Sequence, residues 1–194
     1  MPAPADLAAF LDAARRAPGV VAYASSGVGS SAHLGAELLA SMAGIELLHV
    51  PYRGGGPASQ ALVAGEVATG FTDAPTALPL MRGGAVRALA VAGEARSPAA
   101  PEVPTVAEAG GPALAGYSCA AEFALFAPAG LPEAVARRAA AAVAAALRAP
   151  EVRARLDEAA MEVVAAPPEA WPAYIAREHE RWGGLIRARG IRAS

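Results

Sequence analysis

Apolar side chains return with helical spacing as soon as the chain begins. Leu7, Phe10, Leu11 and Ala14 fall on one face of residues 4–17, and Pro18-Gly19 ends the run. Short strand-like and helical stretches then alternate. Val20–Tyr23 predicts a strand, Ser25–Ser30 a Ser/Gly loop, and Ser31–Ala43 a helix with His33, Leu34, Leu38 and Met42 near one stripe. The unit repeats as strand Ile45–Val50, loop Pro51–Gly56 and helix Pro57–Ala64, with Pro57 suited to the first helical turn and Gly65 to the C-terminal cap. A third unit has strand Val67–Thr72, turn Asp73–Pro75 and a short helix ending near Arg82-Gly83-Gly84. Val86–Val91 is a continuous apolar run that reads as a fourth strand, buried on both faces.

Residues 94–116 are rich in Pro and Gly and read as a surface crossing with one helical turn, Thr105–Ala109. Tyr117–Ala127 is strand-like, Pro132–Leu147 and Pro150–Ala160 are helical, and Met161–Ala165 is a brief strand. Pro168–Arg189 is the most amphipathic segment, with Trp171, Tyr174, Ile175, Trp182, Leu185 and Ile186 on one side, six residues that need a partner surface. The predicted class is α/β. Strand–helix–strand alternation with short links means parallel strands and right-handed crossovers. Loops 25–30, 51–56 and 73–76 then meet at one carboxyl edge of the sheet, where open α/β sheets bind ligands.

Composition removes several function classes. Ala supplies 55 of the 194 residues, so hydropathy overstates the core, since alanine buries little surface. Sixteen basic residues, all of them Arg, stand against eighteen acidic ones with no basic run, which disfavours nucleic-acid binding. No stretch approaches the ~18 apolar residues of a membrane span, so the chain is not expected to be membrane-embedded. The opening Met1-Pro2-Ala3-Pro4-Ala5-Asp6 lacks a basic stretch leading into an apolar core, so no export signal is expected. The single cysteine, Cys119, excludes an internal disulfide and a Cys-based zinc site and reads as a small buried residue.

Candidate chemistry gathers at the three loops. In Ser25-Ser26-Gly27-Val28-Gly29-Ser30-Ser31 the glycines let backbone N–H groups approach a ligand, four hydroxyls offer donors, and the following helix adds positive potential. That makes a carboxylate or phosphate site, against the plainer reading of a βα turn in which Ser30 or Ser31 merely caps the helix. Gly27-x-Gly29-x-x-Ala32 also fits a degenerate dinucleotide fingerprint, but Glu46 lies at the start of its strand rather than at the carboxyl end where a ribose-binding acid belongs. A phosphate-binding Walker loop is excluded, because the chain has no lysine. In the second loop Tyr52 walls a pocket or simply packs. Arg53 meets an anion or is ion-paired at the surface, and Gly54 frees backbone donors. In the third, Asp73 accepts from a ligand or caps a helix, with Thr76 beside it. His33 is a candidate ligand contact whose competing role is packing or hydrogen bonding within its helix; His49 reads as structural and His179 as solvent-facing. No Gly-x-Ser-x-Gly elbow, zinc-ligand histidine spacing or acidic pair stands out, so the site is suited to holding rather than reacting and no cofactor is implied.

The run Tyr23-Ala24-Ser25-Ser26-Gly27-Val28-Gly29-Ser30-Ser31-Ala32-His33-Leu34 resembles a signature of the periplasmic substrate-binding proteins of tripartite tricarboxylate transporters, the TctC or Bug family. The resemblance continues through His49-Val50-Pro51-Tyr52-Arg53-Gly54, Asp73 with Leu78-Pro79, Leu89-Ala90-Val91, Arg96-Ser97, residues 103–110 and Ala127-Pro128-Ala129-Gly130. It implies a two-lobed fold of the periplasmic binding-protein type (type II). Residues 1–120 would form a complete lobe with the ligand loops, and 121–194 the C-terminal return to the other lobe. It implies a non-enzymatic receptor that captures a small organic carboxylate and passes it to membrane permease subunits. In such proteins the loop matching Ser25–Ser31 grips a carboxylate, partly through ordered water. The position matching Asp73 meets other polar groups of the ligand, and the stretch matching Tyr52–Gly56 lines the cleft. Family members carry an export signal and an N-terminal stretch that are not read in this chain, so self-association through the unfilled lobe face is a further expectation. Two alternatives stand beside the receptor: a dinucleotide-dependent enzyme using the Gly27–Ala32 turn, and a truncated fragment that binds nothing alone.

Overall fold

A computed structural model describes residues 4–192. Helix α1 (Leu7–Arg16) starts where the Asp6 carboxylate accepts from the Ala9 N–H at 2.8 Å, and it buries Leu7, Phe10, Leu11 and Ala14, the face expected from spacing. Three βα units follow: β1 (Ala22–Ser25) and α2 (Ser31–Ala43), β2 (Leu48–Pro51) and α3 (Gly55–Ala64), β3 (Thr69–Gly70) and α4 (Ala74–Arg82). Both strand pairings are parallel, with Tyr23 opposite His49 on one side and Thr69 on the other. The order β2-β1-β3 places β1 in the centre: the first crossover runs from β1 to β2 on one side, and the second returns past β1 to β3 on the other. The gap between the carboxyl ends of β1 and β3 is therefore a topological switch point, the position at which doubly wound sheets open a ligand crevice.

The chain divides into two compact units. One comprises the residues up to Ala121 with the stretch from Gly184; the other is Glu122–Gly183. The core of the first is built from the α1 face, Val21, Tyr23, Ala24, Ala36, Leu39, Ala40, Leu114 and Tyr117, all buried. Short helix α5 (Val106–Ala109) carries a reciprocal capping box, Thr105 accepting from the Glu108 N–H while Glu108 accepts from the Thr105 N–H. The second unit holds α6 (Glu133–Ala146), α7 (Pro150–Glu158) and the first part of α8 (Trp171–Arg189).

Four expectations are corrected. The buried face of α2 is His33, Gly35, Ala36, Glu37, Leu39 and Ala40, while Leu34, Leu38 and Met42 are only half-buried. Small Ala36 and Ala40 pack into the core, and Glu37 is buried because it has polar partners. Val86–Val91 forms no strand and none of it is fully buried. The Val91 N–H donates to the Pro104 carbonyl and its own carbonyl accepts from Val106, so its ladder groups are spent on a single bridge to Thr105. Tyr117–Ala127 is not a strand either: Tyr117 and Cys119 are buried, but Phe123, Leu125 and Phe126 are 70–81% exposed without a neighbouring strand. Met161–Ala165 likewise lacks a pairing partner, and an isolated strand leaves its backbone groups to water.

None of the six apolar residues expected along α8 is fully buried. Trp171 meets Phe126 and Tyr174 edge-on at 6.0 and 5.4 Å, and Ile175 is exposed. Among the described residues no helix is long and apolar enough to cross a membrane. Leu39→Ala, at a site 2% exposed, is expected to lower the unfolding free energy by about 2–5 kcal/mol; denaturant titration followed by circular dichroism checks it.

Candidate functional site

The carboxyl edge of the sheet brings the first two loops into hydrogen-bonding contact. The Ser25 carbonyl accepts from the Tyr52 N–H at 3.0 Å, and the Ser26 carbonyl accepts from the Gly54 N–H at 3.2 Å. A Cβ placed on Gly27 would stand 3.6 Å from the Tyr52 carbonyl oxygen, and one on Gly55 would stand 3.9 Å from the Asp73 carboxylate. The N-termini of α2, α3 and α4 thus collect at one edge, as chain order requires.

Within the first loop, Gly27 and Gly29 take φ of 133° and 78°, conformations that side-chain-bearing residues rarely adopt. The four hydroxyls have separate fates. Ser25 is 0% exposed; its Oγ lies 2.6 Å from His49 Nε2, donates to the Gly27 carbonyl and accepts from the Gly27 N–H. Ser30 caps α2 by accepting from the His33 N–H, and it donates to the Gly27 carbonyl at 2.7 Å. The hydroxyls of Ser26 (half-buried) and Ser31 (exposed) make no hydrogen bond within the described residues. Of the backbone donors, Gly29 N–H goes to His33 Nδ1 at 3.0 Å and Ser30 N–H to the Gly27 carbonyl. The N–H groups of Val28, Ser31 and Ala32 have no partner among the described residues.

The remaining candidates line the other two loops. Tyr52 is half-buried, its hydroxyl donating over 3.5 Å to Glu66, whose charge helps burial to raise the Tyr52 pKa. Arg53 is exposed and forms no ion pair among the described residues. Gly54 opens α3 without any side-chain cap. Asp73 occupies the N-cap position of α4 but its side chain does not cap it; among the described residues its carboxylate accepts only from Thr72, at 3.4 Å. Thr76 is half-buried in the first turn of α4.

Behind the first loop lies a cluster of stacked rings and a buried carboxylate that the sequence analysis did not assemble. His33, 6% exposed, stacks on His49 with ring centroids 3.9 Å apart, and His49 stacks on Tyr23 at 4.9 Å. The Tyr23 hydroxyl donates to Glu37 at 2.9 Å, and the other Glu37 oxygen accepts from Arg189 Nε at 2.6 Å. Burial and the Glu37 charge push the Tyr23 hydroxyl well up, so it remains a donor. Burial lowers the His33 pKa against the opposing pull of Glu37, and burial with the neighbouring His33 pushes His49 down to about 4. Two charges 4 Å apart repel by about 4 kcal/mol at an effective dielectric of 20, so the rings do not carry two protons together. The local signal was the spacing of His33 and Glu37, i and i+4 on one helix face among core positions. A serine–histidine pair at 2.6 Å is a nucleophile's arrangement, yet Ser25 is sealed from substrate and its oxygen holds Gly27. Here the pair braces a turn.

A family model described as the tripartite tricarboxylate transporter family receptor matches residues 2–191. The chain belongs to that receptor family. Among its curated relatives, a UPF0065 protein from the tcbD-tcbE intergenic region of Pseudomonas sp. strain P51 is 40% identical over 181 residues, covering 93% of this chain and 53% of the relative. Two solved structures from R. palustris superpose closely. Rpa4515 with adipate has a TM-score of 0.87 at 33% identity, over 96% of this chain and 61% of that one. MatC with bound malate has a TM-score of 0.79 at 30% identity, over 94% of this chain and 62% of that one. The chain therefore spans about half the length of that curated relative and under two thirds of the two solved chains. The fold is that of the periplasmic binding proteins, in part. The dinucleotide reading is not favoured: Glu46 precedes β2, and its carbonyl accepts from Gly19 at the sheet edge away from the loops.

The histidine pKa shifts have a consequence for stability. The folded state takes up protons on these rings later than the unfolded chain, whose histidines titrate near 6.5. Their contribution is complete above that value and is lost as pH falls toward about 4. Denaturation midpoints measured from pH 7.5 to 4.5 are expected to fall, and less steeply in His49→Gln.

Proposed function

We propose that this chain is the solute-binding part of a tripartite tricarboxylate-type receptor, and that it holds a small organic carboxylate at the carboxyl edge of β1 and β3. The observation that carries this reading is the set of unpartnered backbone donors at Val28, Ser31 and Ala32, beside the uncapped start of α3 and the unpaired Arg53. A carboxylate has lone pairs for several such donors. Each helix N-terminus stabilises an anion by about 0.3–1 kcal/mol when exposed and up to ~2 kcal/mol when partly buried. Two partly buried termini and a charge-assisted Arg contact of about 1.5–3 kcal/mol give at most about 7 kcal/mol, between the roughly 4 kcal/mol of millimolar and the roughly 8 kcal/mol of micromolar binding.

Ser26 and Ser31 supply free hydroxyls to the ligand, while Ser25 and Ser30 shape the turn. Gly27 and Gly29 keep the backbone open, Tyr52 and Gly54 wall the site, and Asp73 with Thr76 meets a hydroxyl or second polar group. The adipate and malate in the two R. palustris structures support a small dicarboxylate as the ligand class. The solute stays chemically unchanged and passes to membrane permease subunits, in the periplasm where the family's binding proteins work. Calorimetric titration with adipate and malate tests this. Ser26→Ala with Ser31→Ala is expected to weaken binding roughly fivefold per hydrogen bond lost, and Arg53→Gln to weaken it further. Equal affinity in all variants, or no binding of either acid, contradicts the reading.

A further inference from the structure

We propose that His33 and His49 are positioning residues for the Ser25–Ser31 turn: two stacked imidazoles that fix its backbone at Gly27 and Gly29 and leave the other amides for the ligand. The contact at Gly29 is direct, its N–H donating to His33 Nδ1 at 3.0 Å. The contact at Gly27 runs through Ser25, whose Oγ sits 2.6 Å from His49 Nε2 and bonds both the N–H and the carbonyl of Gly27. Ring stacking at 3.9 Å and 10° couples the two supports into one wall.

The chemistry of the Gly29 bond specifies a protonation state. An amide N–H can donate to Nδ1 only if that nitrogen is bare, so His33 is neutral with its proton on Nε2. The groups facing the pair are Glu37 on α2, Tyr23 on β1 and, beyond Glu37, Arg189 at the end of α8. Glu37 alone would draw a proton onto the rings. Its two oxygens are occupied by the Tyr23 hydroxyl and the Arg189 guanidinium, and burial opposes the imidazolium. Protonation would put N–H against N–H at Gly29 and free that peptide, which is exposed and whose N–H has no other partner among the described residues.

The first test needs no substitution. The Gly29 amide resonance of the whole chain is followed from pH 7.5 to 4.5 beside the His33 ring nitrogens. The amide is expected to move with Nδ1 protonation, at a midpoint below the ordinary 6.5. His33→Asn places an uncharged Oδ1 acceptor where Nδ1 stood and is expected to abolish that titration; His33→Leu removes the acceptor. The binding consequence rests on the proposed carboxylate site. His33→Leu is expected to weaken adipate affinity at pH 7.5 roughly fivefold, with His33→Asn recovering most of it. A Gly29 amide that ignores the ring, or that titrates equally in His33→Asn, overturns the brace. Equal adipate affinity in His33→Leu and wild type overturns its role in binding. Failure of wild type to bind adipate or malate sinks the carboxylate reading, while the Gly29 titration still decides the brace.

Discussion

A turn that offers its amides to an anion has to satisfy its remaining polar atoms from behind, or it will turn them inward instead. Here that constraint is met by side chains rather than by more backbone. Ser25, Ser30 and His33 take the inward-facing groups of Gly27 and Gly29, and His49 holds Ser25. Each bond is worth about 1 kcal/mol net, but stranding a buried partner costs about 1–3 kcal/mol. The arrangement is therefore specified contact by contact: losing His49 takes a partner from the fully buried Ser25, and losing His33 leaves the Gly29 N–H without its acceptor. Two of the four loop hydroxyls, those of Ser25 and Ser30, are consumed this way, which leaves Ser26 and Ser31.

The sheet supplies the rest of the geometry. Parallel strands put the starts of α2, α3 and α4 at one edge, and the central place of β1 sets its loop beside the switch point. The Glu37–Arg189 pair ties α2 to the end of α8 across 152 residues and keeps the carboxylate behind the rings engaged. Outside this unit the chain is less self-sufficient. The second unit exposes Phe123, Leu125, Phe126 and Val164.

Local order was readable in the sequence. The face Leu7, Phe10, Leu11 and Ala14, the helix Ser31–Ala43 and the convergence of three loops all follow from spacing and chain order, which are properties of neighbouring residues. What escaped depends on partners distant in sequence. Val86–Val91 has the composition of a strand, but composition does not say whether a neighbour will pair with it. Leu34, Leu38 and Met42 dominate a hydrophobic stripe by size, whereas Ala36 and Ala40 fit where the helix is buried. Nothing local announces that Ser25 meets His49, 24 residues on, and so serves the turn instead of the solute.

The most direct measurement is an adipate titration of the labelled chain read at individual backbone amides. If the cradle is real, the resonances of Val28, Ser31 and Ala32 shift together along one saturating curve, while Gly27 and Gly29, already engaged inside the protein, move less. Saturable binding that leaves those three amides still and perturbs another surface would contradict the account.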